Sequence, residues 1–142
     1  MSVSDPVYTR AILRLAAAIP NQVDFADFSG DSELRSPTCG SRLRLDIELD
    51  DEGRIAAVRQ AVEACAFGQA AAALVGGAAI GQSLQSLAGI DDAVAAWLNG
   101  SVDPAPWPGL EALEPARAKS GRHGAILLPF RAIAREARKQ QS

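Results

Sequence analysis

"RLRLDIELDDEGRIAAVRQAV", residues 42–62, decides the fold. Leu43, Leu45, Ile47 and Leu49 alternate with Arg42, Arg44, Asp46 and Glu48. Successive side chains on a strand point to opposite faces, so these four apolar residues share one face and the charged residues share the other. A Gly-containing turn then leads into a second extended run, and the whole stretch reads as a β-hairpin with one wet face. A sheet that is apolar on one side takes helices as its partner layer.

The remainder of the chain supplies those helices. "DPVYTRAILRLAAAI" places Val7, Ile12, Leu15 and Ile19 near helical spacing, with Asp5 as a cap and Pro6 at the first helical position. "PNQVDFADFSGDSEL" reads as a loop that becomes extended before Cys39. "FGQAAAALVGGA" is a helix of small side chains, suited to close packing. "SLQSLAG" is a short helix opened by Ser83, and "IDDAVAAWLNG" is one closed by Asn99 and Gly100. "SVDPAPWPGLEALEPARAKSGRHG" is a proline-punctuated connection with a turn of helix around Leu110 to Leu113. A final helix runs from about Ala125 to Lys139, with basic residues at its C-terminal end. The expected architecture is an α+β domain: a small antiparallel sheet of about three strands, including the 42–62 hairpin, with helices packed on one face. Residues 1–142 are expected to form a single domain.

The chain's 142 residues carry a net charge of -3 with a pI near 5.1, which gives no basic field to attract nucleic acid or anionic lipid. The start, "MSVSDPVYTR", lacks the basic and apolar regions of a secretory signal, so a cytoplasmic location is expected. The segment from Ala64 to Ile80 is apolar apart from Gln69. It is too short and too glycine-rich for the ~20 apolar residues of a membrane helix, and reads as a buried helix of a soluble domain.

Both cysteines stand at the edges of the hairpin. Cys39 precedes its first strand, and Cys65 follows its second at the start of the Ala-rich helix. A hairpin returns the chain to its origin, so the two thiols are expected to be neighbours at one end of the sheet. A cysteine at a helix N-terminus meets exposed N–H groups and the positive end of the dipole, which favour thiolate, the form that binds metal and attacks sulfur. In a reducing compartment a metal or thiol role is one reading of the pair, and two buried small hydrophobes is the other.

"SPTCGSRLRLDIELDDEGRIAAVRQAVEACAFGQAAAALV", residues 36–75, resembles the core signature of the IscU/NifU-like iron-sulfur cluster assembly scaffold family. In that family a Pro-x-Cys-Gly-Asp precedes an amphipathic hairpin, and a second Cys opens a helix of small residues. "VYTRAILRLAAAIPN" upstream resembles the family's opening helix, and "GQSLQSLAGI" downstream resembles its Gly-Lys-x-Leu segment. The resemblance implies a SufE/IscU-like fold and a scaffold that accepts sulfur from a cysteine desulfurase or sulfur-transfer protein. It also implies that such a scaffold builds a [2Fe-2S] cluster and passes it to recipient apoproteins.

The chain departs from the pattern in two places. The family's metal-site Asp after Cys-Gly is Ser41 here, and its third Cys, near the start of the last helix, is missing. Aligning "RHGAILLPFRAI" on that helix puts Gly124 in the place of the third Cys, with His123 matching the His that precedes it in many members. Aligning on "PARAK" puts Ser120 there instead. The first alignment is preferred, because Leu127 and Ala132 then keep the helix pattern. The resemblance leaves Cys39, Cys65 and His123 as a Cys₂His set that suits iron, a [2Fe-2S] cluster completed by a partner, or zinc. A loop histidine capped by its neighbours is the alternative for His123.

The other features read as structural. Asp50, Asp51 and Glu52 form a solvated hairpin turn, Trp97 and Trp107 contribute core area, and "REARKQQS" is a solvated helix end. No phosphate-binding glycine motif follows a strand. Three functions are then open: a scaffold or carrier, a degenerate scaffold-like protein that binds assembly partners without building a cluster, and a thiol enzyme with Cys65 as nucleophile and His123 as base. The scaffold reading is preferred and no catalytic residue is assigned.

Overall fold

The computed structural model describes residues 8–28, 33–36 and 40–140. In chain order the elements are α1 (Arg10–Ala16), β1 (Leu34–Arg35), β2 (Arg42–Leu49), β3 (Ile55–Glu63), α2 (Ala66–Ala78), α3 (Ile90–Leu98) and α4 (His123–Gln140). Short 3-10 turns cover Phe25–Asp27, Leu84–Leu87, Leu110–Ala116 and Ser120–Arg122. The three strands form one antiparallel sheet in the order β1-β2-β3, and the α+β expectation holds.

Register follows the hydrophobic alternation. Arg42 pairs with Glu63, Leu43 with Val62, Leu45 with Gln60 and Ile47 with Val58. Leu43, Leu45, Val58 and Val62 are buried against the helices. A bulge between Glu48 and Leu49 breaks the alternation, and Leu49 turns out to solvent at 37% exposure. The turn after it is an Asx-type closure, with Asp50 Oδ1 accepting the N–H groups of Glu52 at 2.8 Å and Arg54 at 3.0 Å.

The expected wet face is partly covered. Towards the end away from that turn, residues 21–28 fold across it. Arg42 lies 3.9 Å from the Phe25 ring centre and Arg59 lies 4.9 Å from that of Phe28. Arg44 Nη1 donates to the carbonyls of Phe25 and Phe28 at 3.5 and 3.2 Å. Stacked guanidinium groups thus hold a strap of chain on the sheet and bury Ala61 completely.

Four local expectations change. Helix α1 begins at Arg10, with the Thr9 hydroxyl accepting the Ile12 N–H at 3.2 Å, so Thr9 is its cap; the expected Asp5 cap and Pro6 lie outside the described residues. "LQSL" is a 3-10 turn in which Ser83 makes no side-chain cap bond. The turn around Leu110 is also 3-10 and runs to Ala116. Helix α4 starts two residues early, at His123.

The helical layer is built around α2, whose residues Phe67 to Gly76 are all buried except Gln69. Its small side chains let α1 and α4 approach closely. Trp107 is 2% exposed, donates Nε1–H to the Leu74 carbonyl at 2.9 Å, and meets Phe130 edge-on at 5.5 Å. Trp97 is equally buried, so both tryptophans are core residues. Asp91 at the start of α3 is clamped by Arg138 of α4 at 2.6 and 2.9 Å. Among the described residues no helix is long and apolar enough to cross a membrane.

Candidate functional site

The sheet end at Glu63 sets the position of Cys65. Arg42 Nε and Nη2 donate to the two Glu63 carboxylate oxygens at 2.9 and 2.8 Å. That fork raises the Arg42 pKa and lowers the Glu63 pKa, and it fixes the last pair of the hairpin. Two residues later Cys65 is the N-cap of α2, with extended dihedrals of φ -67° and ψ 172°. Its carbonyl accepts the Gln69 N–H at 2.9 Å, while its thiol is free, half-buried and makes no capping bond. The expected placement of Cys65 at a helix N-terminus is therefore observed.

Cys39 lies outside the described residues. Its flanks close a loop at the same sheet end: Ser36 N–H donates to the Ser41 carbonyl at 2.9 Å, and Gly40 N–H to the Ser36 carbonyl at 3.3 Å. Gly40 has φ +74°, a left-handed conformation natural to glycine. Ser41 is 4% exposed, so the position of the family's aspartate is a buried one.

The first turns of α2 and α4 pack on each other. A Cβ built on Gly68 would lie 3.2 Å from both the Cβ and the carbonyl oxygen of Ala125. Pro129 has no N–H to give that carbonyl, which is free to face Gly68. His123 and Gly124 precede Ala125 directly, so this crossing brings the start of α4 to the start of α2. Ser120 is exposed in the preceding 3-10 turn.

His123 Nε2 lies 2.9 Å from the Ala116 carbonyl and 3.2 Å from that of Arg117. Both partners are acceptors, so Nε2 carries a proton and a neutral ring keeps its lone pair on Nδ1. Arg117 is itself fixed, donating Nε–H to the Trp97 carbonyl at 2.8 Å. No hydrogen bond joins His123 to Cys65, and no three His, Cys, Asp or Glu residues gather as a metal site, among the described residues.

Two neighbours of this region gave no signal in the sequence. The Tyr8 ring lies 5.1 Å from that of Phe67, in the first turn of α2, and Arg122 lies 5.9 Å from the Tyr8 ring. Both lie in segments quoted for the family resemblance, but nothing in those segments pairs them, and long-range packing brings them together.

An antiparallel hairpin that delivers a free thiol to the N-cap of a buried, small-residue helix defines a class of α+β domain. The chain matches the model of the NifU-like N-terminal domain over residues 7–106 and belongs to that family. Helix α4, with His123 and Gly124, lies beyond the matched segment. A NifU-like protein (N-terminal) from Brucella abortus, described as nitrogen-fixing, is similar in structure with a TM-score of 0.80 and 26% identity, over 99% of this chain and 100% of that one. A candidate iron-sulfur cluster assembly scaffold protein for the SUF system from Fervidobacterium islandicum AW-1 has a TM-score of 0.75 and 17% identity, over 92% of this chain and 96% of that one. No curated protein matches the chain.

Proposed function

We propose that the chain is a scaffold or carrier in iron-sulfur cluster assembly. Its cargo is iron or a [2Fe-2S] cluster, or zinc, held through Cys39 and Cys65. The observation that carries this reading is Cys65: a free, half-buried thiol at the N-cap of α2, beside the open backbone N–H groups of the helix's first turn. Membership of the NifU-like N-terminal domain family supports it. His123 is the third ligand in this reading and binds through Nδ1, because Nε2–H is engaged with the Ala116 and Arg117 carbonyls. Those carbonyls then orient the ring as outer partners of a metal-bound histidine commonly do. Sulfur comes from a cysteine desulfurase or sulfur-transfer protein, and the assembled cluster leaves for recipient apoproteins, in the cytoplasm.

The alternative is a degenerate scaffold-like protein that binds the same partners and builds no cluster. Gly124 and Ser41 favour it, since neither supplies the thiolate or carboxylate of the family pattern. A thiol enzyme is disfavoured, because no hydrogen bond links the His123 ring to Cys65 among the described residues.

Anaerobic reconstitution with iron and sulfide, followed by metal and acid-labile sulfide analysis, separates the readings. The scaffold reading expects iron and sulfide that Cys65→Ser and Cys39→Ser each remove. Folded protein that retains neither iron, sulfide nor zinc selects the alternative.

A further inference from the structure

The part of the outer sheet face left open by the strap forms a groove of about 550 Å³. Its walls are Asn21 and Val23 on one side and Asp46, Glu48 and Arg59 on the other, with Ala57 in the floor. A second hollow, lined by Asp24 and Asp27, opens beside it. Arg59 pairs with Asp46 at 2.7 Å. Glu48, Asp24 and Asp27 have no ion pair among the described residues. The groove thus has Ala57 in its floor and one unpaired carboxylate, Glu48, on its rim, with two more, Asp24 and Asp27, in the hollow beside it. It lies far from Cys65, since Val58 and Glu63 alone are separated by roughly 16 Å of strand.

Complementary chemistry stands on α1. Leu13 is 51% exposed, the most exposed large apolar side chain among the described residues. Arg10 and Arg14, one turn apart, lie to one side of it, both exposed and neither in an ion pair among the described residues. The chain therefore displays an apolar side chain beside two cations on α1, and an apolar floor beside three unpaired carboxylates, Glu48 in the groove and Asp24 and Asp27 next to it, on the sheet. Helix and groove are close along the chain, because α1 ends at Ala16 and the groove wall begins at Asn21.

We infer that two copies of this chain form a two-fold dimer in which α1 of each copy seats in the groove of the other. Leu13 covers Ala57, and Arg10 and Arg14 meet Glu48, Asp24 and Asp27. A two-fold axis makes each contact twice and closes the assembly, whereas a single head-to-tail contact would leave an open series. The carboxylates and guanidinium groups are exposed, so the association weakens with salt as the Debye length falls from ~10 Å at 0.1 M to ~3 Å at 1 M. This inference does not depend on the proposed function and involves none of its ligands.

Sedimentation equilibrium of the full chain over a range of concentration tests it. Wild type is expected to show a monomer–dimer equilibrium at low salt, shifted towards monomer in 1 M NaCl. Glu48→Arg and Arg14→Glu are each expected to weaken dimerisation tenfold or more, and the two together in one chain to restore it. Circular dichroism and thermal melting confirm that each variant is folded. A wild type monomeric at all concentrations, an open series of oligomers, a dimer indifferent to both substitutions, or a double variant that stays dissociated would each overturn the assignment.

Discussion

Gly68 and Ala125 set the distance between α2 and α4 at the end that carries Cys65. A Cβ at Gly68 would sit 2.7 Å from the Ala64 Cβ and 3.2 Å from two atoms of Ala125, one of them backbone oxygen. Neither neighbour has a flexible end that can swing aside. Gly77, in the same helix, has no atom within 4 Å of such a Cβ.

Gly68→Ala and Gly77→Ala should therefore move stability in opposite directions. Both gain up to ~1 kcal/mol of helix propensity. At Gly68 overpacking of ~1–3 kcal/mol outweighs that gain, and at Gly77 nothing opposes it. Urea unfolding should show a lower midpoint for Gly68→Ala and a higher one for Gly77→Ala. Equal stabilisation by both would mean that the crossing is looser than described.

This crossing shows where a sequence stops being legible. The 42–62 hairpin and the placement of Cys65 at a helix start were readable because period-two alternation and the change to small residues are local signals. The bulge that exposes Leu49 and the strap over Arg42, Arg44 and Arg59 were not. Phe25 and Phe28 carry no periodicity, and which distant arginines they cover depends on tertiary packing. The same holds for His123. Its place at the head of α4 was nearly readable, but the engagement of Nε2 depends on the path of residues 116–117, which a proline-rich connection does not announce. Cys39 lies outside the described residues, and its expected proximity to Cys65 remains a proposal to be tested by disulfide trapping.

Acid should weaken the hairpin turn. Hydrogen bonds from the Arg54 and Glu52 N–H groups hold the Asp50 carboxyl below its ordinary pKa, so folding favours its ionised form. That contribution is fully present above the unfolded carboxyl's pKa and is lost as pH falls through the lower folded value. Asp50→Asn should flatten this acid limb. Amide exchange at Glu52 and Arg54, followed as pH falls, should show protection lost with the carboxylate in wild type and absent at every pH in Asp50→Ala.

Gln60 offers a contrast between a polar and a charged core residue. It is 0% exposed, its Nε2 donates to the Ala72 carbonyl at 2.9 Å, and its Oε1 is buried with no hydrogen-bond partner among the described residues. Gln60→Met keeps the volume and removes the orphan acceptor, so it should cost no more than about 1 kcal/mol. Gln60→Glu puts a carboxylate beside a carbonyl and should cost about 3 kcal/mol or more at neutral pH. Burial raises the folded pKa of that glutamate, so the penalty should shrink as pH falls towards 4. A pH-independent penalty in equilibrium unfolding would indicate that water reaches the site.

The last prediction concerns the thiolate that the chain lacks. Thiolates hold iron better than an imidazole with an open position beside it, so wild type should retain at most a labile chromophore on anaerobic reconstitution. Gly124→Cys places a thiol in the first turn of α4, next to the Ala125 contact with α2. Ser120→Cys places one on the exposed 3-10 turn before it. Iron and acid-labile sulfide per chain should rise in Gly124→Cys and stay at the wild-type level in Ser120→Cys, and Cys65→Ser should abolish the gain. Ser41→Asp adds the carboxylate of the family pattern at a site only 4% exposed. Without metal that charge should lower stability, and with metal the loss should be recovered, so the rise in unfolding midpoint on loading should be larger for Ser41→Asp/Gly124→Cys than for Gly124→Cys alone. A gain in Ser120→Cys instead would transfer the family alignment to "PARAK". No gain in either variant, with both folded, would leave the partner-binding reading as the function of this chain.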